Sequence, residues 1–187
     1  MNLTIRPLAA SDSLEALTEL LHRAYAALGA QGWNFTAVDQ SVELTAKRVA
    51  GGGCLLAELE GAGDGVNAPA LRLVGTVNVS GPYKLAPGAW GLDTPWYQRE
   101  DTAILSQYAV DPAYQGRGFG ERLMEAAEAW ARDRGYAFIA LDTAKPAAHL
   151  QRRYAQRGYA AKAEVQWEGK CYSSILMVKP LKEAISP

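Results

Sequence analysis

The chain has 187 residues, 49% of them hydrophobic and 21% charged, with a formal net charge of −1. That size and mixture fit one globular domain, residues 1–187, with room for a sizeable core. The near-neutral balance supplies no global field to draw nucleic acid or a membrane surface, so neither is expected as a partner. The opening MNLTIRPLAASDS lacks an apolar core of signal-peptide length, and no later run approaches membrane length, so a cytoplasmic location is expected. Cys54 and Cys171 each sit in an apolar run, far apart, and read as two reduced core thiols.

In chain order, Leu3 to Leu8 alternates like a short strand. Asp12 with Glu15 marks a helix start, and Leu14, Leu17, Leu21, Ala24 and Leu28 form its apolar stripe. His22 lies off that stripe and reads as solvated. Gly32-Trp33-Asn34-Phe35 is an aromatic loop, and a second helix is expected from Asp39 to Ala50. Cys54–Glu60 and Leu71–Ser80 are strand-like and are joined by a Gly/Asp/Asn/Pro-rich segment, the pattern of a hairpin. Gly81 to Asp101 is long for a connection and carries Tyr83, Trp90, Trp96 and Tyr97. A strand from Ala103 to Val110 follows. After the next helix come a buried strand, Ala137–Leu141, with Asp142-Thr143 at its end, a helix from Ala147 to Arg157, and strands Ala161–Trp167 and Cys171–Val178 joined by Glu168-Gly169-Lys170.

The most informative stretch is Leu105 to Gly120, LSQYAVDPAYQGRGFG. Asp111-Pro112 stops the strand, because proline cannot donate to a ladder. A turn rich in glycine follows, and then a helix with Phe119, Leu123, Ala126, Ala127 and Trp130 on one face and Glu128 opposite Arg132 four residues on. Alternate glycines at Gly116, Gly118 and Gly120 clear side chains from the path of a ligand. Unpaired N–H groups at a helix start, aided by the helix dipole, make an anion site. Arg117 and Arg122 can add charge. A dinucleotide fingerprint fails, since Glu121 stands where its third glycine belongs, and no Walker loop occurs.

The turn does match Q/R-x-x-G-x-G/A through Gln115, Gly118 and Gly120. With Ala109-Val110-Asp111-Pro112 before it, the stretch resembles the acyl-CoA motif of the GNAT N-acetyltransferases. The segment Tyr154 to Tyr159, YAQRGY, is similar to that family's second signature. The resemblance implies an α/β (α+β) fold: a central mixed, mostly antiparallel twisted sheet of about seven strands flanked by four helices. The sheet would splay between its fourth and fifth strands to admit acyl-CoA. It also implies acetyl-CoA as cosubstrate, held by Tyr108, Ala109, Val110, Gln115, Gly116, Arg117, Gly118, Phe119 and Gly120, with no metal. Tyr154 would face the leaving thiolate and the Val110 N–H the oxyanion. Two positions depart from the family pattern: Ala147 replaces a common asparagine, and Ile104 and Ser106 stand where some relatives carry a carboxylate.

The reaction implied is transfer of an acetyl group from the thioester to a primary amine, which must lose a proton before it attacks. Candidate bases are Glu100, Asp101, Asp142 and His149, the last turned away from the helix face that holds Tyr154. Trp33, Phe35, Trp90, Trp96, Tyr97 and Asp142 are the candidates for holding a small-molecule or peptide amine, and a homodimer is compatible with the chain. The alternative is a non-catalytic acyl-CoA-binding sensor or regulatory module on the same fold.

Overall fold

The computed structural model describes residues 2–60, 71–84 and 94–181. Among them, seven strands form one sheet: β1 (Leu3–Pro7), β2 (Cys54–Glu60), β3 (Leu71–Ser80), β4 (Thr102–Val110), β5 (Phe138–Ala144), β6 (Ala160–Val165) and β7 (Ser174–Pro180). Their spatial order is β1-β2-β3-β4-β5-β7-β6. Every pairing is antiparallel except β4 with β5. Helices α1 (Leu14–Gly29), α2 (Val42–Val49), α4 (Phe119–Asp133) and α5 (Ala148–Gln156) match the four expected, and a short α3 (Pro95–Gln98) is added in the connection before β4.

The layers follow from strand alternation. Leu55, Ala57 and Leu59 of β2 and Ile139 and Leu141 of β5 pack with Leu123, Met124 and Ala127 of α4 and Tyr154 of α5. The intervening Cys54 and Leu56 face Leu17, Leu20 and Leu21 of α1 on the other side. The apolar stripes read from the sequence are therefore the buried faces.

Several local expectations change. Ser13, not Asp12, caps α1, its side chain accepting from the Ala16 N–H at 3.0 Å; Asp12 instead pairs with Arg6 at 2.7 Å. Helix α2 begins only at Val42, because Ser41 supplies its cap and residues 36–38 form a separate 3₁₀ turn. Glu128 turns inward rather than toward Arg132. It lies 4% exposed and accepts from Lys179 at 2.7 Å and Arg157 at 3.2 Å, partners that arrive from β7 and the end of α5. Cys54 is buried, but Cys171 is exposed and its thiol donates to the Gly32 carbonyl. Strand β7 accordingly starts at Ser174, three residues later than expected, because Lys170 and Cys171 are engaged with the Gly32–Thr36 loop.

The opening between β4 and β5 is the feature that matters for the site. The two pair only over Thr102–Ile104 and Phe138–Ala140. Further along, β4 carries a bulge: Ser106 pairs with Asn78 and Ala109 with Thr76, which leaves one extra residue on β4. Gln107 sits there with φ 50°, left-handed for a residue that is not glycine. A bulge bends and twists its strand, and here that carries Tyr108 to Val110 away from β5. The Gln107 side chain, 6% exposed, donates to Gln40 Oε1 at 3.0 Å, which holds the strained residue in place.

Candidate active site

Two clefts open at the splay. The first has a volume of about 360 Å³ and is lined by Tyr108 to Val110, by Gly116 and Gly118 to Glu121 of the turn, and by Asp142, Thr143, Leu150, Arg153 and Tyr154. The second, of about 330 Å³, lies toward α2 and the β6–β7 connection. Tyr25, Phe35 and Asp142 line both, so the clefts meet at these side chains.

At the mouth of the first cleft, Gly118 caps α4 with φ 79° and Gly116 has φ 76°, a conformation that costs other residues about 1–2 kcal/mol. A Cβ on either glycine would meet nothing within 4 Å, so the backbone faces open space. The Arg122 N–H closes the first helical bond to the Gly118 carbonyl at 3.2 Å. The amides of Gly116, Gly118, Phe119, Gly120 and Glu121 make no hydrogen bond among the described residues. Gly120 allows close packing at the same helix start: a Cβ there would stand 2.2 Å from the Tyr108 hydroxyl. This bank of free donors on a helix dipole suits the phosphates of CoA.

The surrounding side chains divide differently from the sequence reading. Gln115 folds back and donates to the Val110 carbonyl at 3.1 Å, fixing the turn. Arg117 lies over the Tyr114 ring at 5.3 Å and is not among the lining residues. Arg122 donates to the Leu3 carbonyl at 3.0 Å, a structural bond rather than an anion contact. Among the described residues, the cation that lines the cleft is Arg153, which the sequence reading missed. Its position three residues after Leu150, on the same face of α5, is the signal that would have found it.

Deeper in, the Asp111 N–H donates to the Val74 carbonyl at 2.9 Å. Antiparallel ladders alternate, so the Val110 N–H points the opposite way, into the gap. The Tyr108 carbonyl faces the gap too and accepts from the Tyr25 hydroxyl at 3.2 Å. Burial pushes the Tyr25 phenol up to about 12. Tyr154 is buried, its ring between Tyr108 and Tyr159, and its hydroxyl has no hydrogen-bond partner among the described residues. Burial raises its pKa above the ordinary phenol value. Thr143 Oγ1 is likewise buried and unpartnered among the described residues.

Asp142 stands where the clefts join. Its carboxylate accepts from the Tyr97 hydroxyl at 2.8 Å and from Trp167 Nε1 at 3.0 Å. Tyr97, 1% exposed, brings the end of the long connection under the second cleft, and Tyr83 packs edge-on to it at 5.4 Å. Phe35 reaches the junction between Tyr25 and Tyr172.

The other expected residues are not assembled here. Glu100 and Asp101 line neither cleft, and Asp101 pairs with Arg99 at 2.6 Å. That pair lies at the start of β4, whereas the splay opens toward its end. Trp96 packs on Phe138 beneath Arg99 and also lines neither cleft. Trp33 is half-buried outside both. His149 is exposed and His22 is bonded to the Gln40 carbonyl, so neither serves the site. Trp90 lies outside the described residues. Arg48, Trp167, Lys170 and Tyr172, which no local motif marks, line the second cleft.

A family model described as "Acetyltransferase (GNAT) family" matches residues 14–159. No curated protein matches the chain. Among solved structures it is similar to the ribosomal-protein-S18-alanine N-acetyltransferase from Escherichia coli, at 20% identity and a TM-score of 0.66, with 98% of this chain and 96% of that one covered. It is also similar to a GNAT family acetyltransferase from Elizabethkingia anophelis with acetyl-CoA bound, at 18% identity and a TM-score of 0.61, covering 96% and 98%. A third, the PaiA N-acetyltransferase from Thermoplasma acidophilum in complex with coenzyme A, shares 16% identity at a TM-score of 0.64, covering 96% and 99%. At such identities the likeness speaks for the fold.

Proposed function

Because the chain belongs to the GNAT acetyltransferase family, we propose that it moves an acetyl group from acetyl-CoA to a primary amine by direct attack of the amine on the thioester. The observation that carries this reading is the convergence of two donors without a partner among the described residues, the Val110 N–H and the Tyr154 hydroxyl, on one cleft that begins at a bank of helix amides likewise unbonded there. In this reading the amides of Gly116 and Gly118 to Glu121 hold the diphosphate of acetyl-CoA, and Arg153 supplies charge. Tyr108, Ala109 and Val110 flank its extended arm along β4, and Thr143 Oγ1 offers one more polar contact.

Each donor has a distinct task. The Val110 N–H stabilises the negative charge that develops on the carbonyl oxygen during attack. The Tyr154 hydroxyl donates to the sulfur as it leaves. Asp142, at the junction, orients the amine and takes up its proton directly or through water. Asp142 replaces Glu100 and Asp101 in this role because only it reaches the clefts.

The test is thiol release from acetyl-CoA with a panel of amines, amino acids and peptides, together with calorimetry of acetyl-CoA binding. Acetyl-CoA binding with amine-dependent thiol release supports the reading. Binding without release from any acceptor favours the non-catalytic acyl-CoA module instead.

A further inference from the structure

The second cleft has a charge polarity that the acetyl-transfer reading does not use. Arg48 and Lys170 line it but do not line the first cleft, whereas Asp142 lines both. Positive charge therefore sits away from the thioester end, and the carboxylate sits next to it. The Arg48 carbonyl accepts from Asn78 Nδ2 at 3.1 Å, but its guanidinium makes no hydrogen bond or salt bridge among the described residues. Lys170 is pinned: its Nζ donates to the Asn34 carbonyl at 2.6 Å and to Thr36 Oγ1 at 2.9 Å. Both partners are neutral, so the ammonium charge has a fixed position and no carboxylate in ion-pair contact among the described residues. Partial burial first, and then the nearby Arg48 charge, lower the Lys170 pKa, against the opposing pull of Asp39, Cys171 and Asp142.

The rest of the wall is largely aromatic, with Ala37 and Leu105 adding apolar surface and Thr36, Ser106 and Gln107 neutral polar groups. Tyr83, Tyr97, Trp167 and Tyr172 line the cleft, and Tyr97 and Trp167 stack at 6.0 Å. A volume of about 330 Å³ is at the small end of small-molecule pockets. Apolar walls with a few placed charges are how such pockets orient a ligand.

Resting on the amine-acceptor reading above, we infer that this cleft selects a small amino-carboxylate with an apolar or aromatic body, its amine toward Asp142 and its carboxylate toward Arg48 and Lys170. Each charge on such an acceptor meets its opposite, and the amine is the end delivered to the thioester. A plain alkylamine would leave both cations unanswered.

The experiment measures initial rates for acceptor pairs that differ in the carboxylate: phenylalanine with phenethylamine, and 6-aminohexanoate with pentylamine. Peptide amides are run alongside. The wild-type protein should favour the carboxylate member of at least one pair in kcat/KM by about tenfold or more, the worth of a hydrogen bond to a charged group. Arg48→Gln should shrink that ratio by about tenfold or more. Comparing one substrate between the two proteins cancels differences in amine ionisation. Lys170→Gln should shrink the ratio as well, with circular dichroism confirming the fold because Lys170 also ties two loops. Equal or better use of the amines without a carboxylate overturns the inference, as does a ratio unchanged in Arg48→Gln or acetylation of peptide amides only. If calorimetry shows acetyl-CoA bound but no small amine of either kind is acetylated, the acceptor assignment falls while the CoA site stands. If acetyl-CoA does not bind, the acetyl-transfer reading falls with it.

Discussion

Replacing Tyr154 by phenylalanine isolates the leaving-group step. The ring packs between Tyr108 and Tyr159, with centroids at 6.5 and 6.1 Å, and phenylalanine preserves that packing. The hydroxyl bonds nothing among the described residues, so its removal should shift stability by no more than about 0.5 kcal/mol. In the proposed reaction the hydroxyl meets a developing thiolate, and a hydrogen bond to a charged group contributes about 1.5–3 kcal/mol. At about 1.4 kcal/mol per tenfold, kcat should fall by about ten- to 150-fold. Acetyl-CoA affinity should stay unchanged, because the thioester carries no such charge before attack. The hydroxyl donates rather than delivers its proton: the reference gap from phenol to thiol already costs about 2 kcal/mol, and burial raises Tyr154 further. Its proton therefore stays on through the neutral and mildly alkaline range, and Tyr154 ionisation should produce no fall in kcat below about pH 10. Stopped-flow and steady-state thiol release across that range, with calorimetry for acetyl-CoA, make the measurement. Full kcat in the phenylalanine protein with chemistry rate-limiting would refute the reasoning, and so would a wild-type alkaline limb that the substitution abolishes.

Gly118→Asp places a side chain and a negative charge at a left-handed helix cap that faces the anion site; acetyl-CoA affinity by calorimetry should drop by about tenfold or more, and an unchanged affinity in the folded protein would remove the turn from the site. Asp142→Asn can accept through one oxygen where the carboxylate accepts from both Tyr97 and Trp167, so a loss of about 1–3 kcal/mol in chemical denaturation is expected. Acceptor kcat/KM should fall with acetyl-CoA affinity intact; an unaltered acceptor kcat/KM would leave Asp142 as a positioning residue for the two rings. Arg6 holds the Asp12 carboxyl below the usual carboxylate range. A depressed folded pKa contributes stability in full above the unfolded value of about 4 and loses it as pH falls through the folded one. Asp12→Asn should therefore lower Tm at neutral pH by about 3 °C, the equivalent of about 1 kcal/mol, and the gap should close as the wild-type carboxyl protonates below pH 4; a gap that persists there would mean the loss is packing rather than charge.

What was readable in the sequence is what is encoded locally. The strand, glycine turn and helix from Thr102 to Asp133 depend on neighbours in the chain: an apolar run, a proline stop, alternate glycines and a 3.6-residue stripe. The β2 and β3 boundaries fell where the pattern put them, Cys54–Glu60 and Leu71–Ser80, because turn-forming residues bracket an apolar run on each side. The misses share the opposite property. The bulge at Gln107 has no glycine to mark it, and its support comes from Gln40, far away in the chain. Glu128 looked like a surface pair with Arg132, but α5 and β7 bring Arg157 and Lys179 over it. Arg122 looked like an anion contact from its place beside the turn, but β1 offers the Leu3 carbonyl.

The same division explains why the proposed acyl-CoA side left a motif in the sequence and the proposed acceptor side did not. An extended phosphate ligand meets mostly backbone, so its site needs one contiguous turn and leaves a motif. The proposed acceptor pocket is made of side chains gathered by topology: Arg48 from α2, Tyr97 from α3, Asp142 from β5, and Trp167 and Lys170 from the β6–β7 connection. Tyr97 shows the difference most plainly. Counted as one of four aromatics in a long connection, it could be a pocket wall or an anchor. In the structure its ring is buried beneath the second cleft while its hydroxyl donates to the Asp142 carboxylate at the junction. Glu100 and Asp101 stand apart from the clefts for the reverse reason. They are near β4 in sequence, but they stand at its start and line neither cleft, whereas Tyr108 to Val110 at its end line the first.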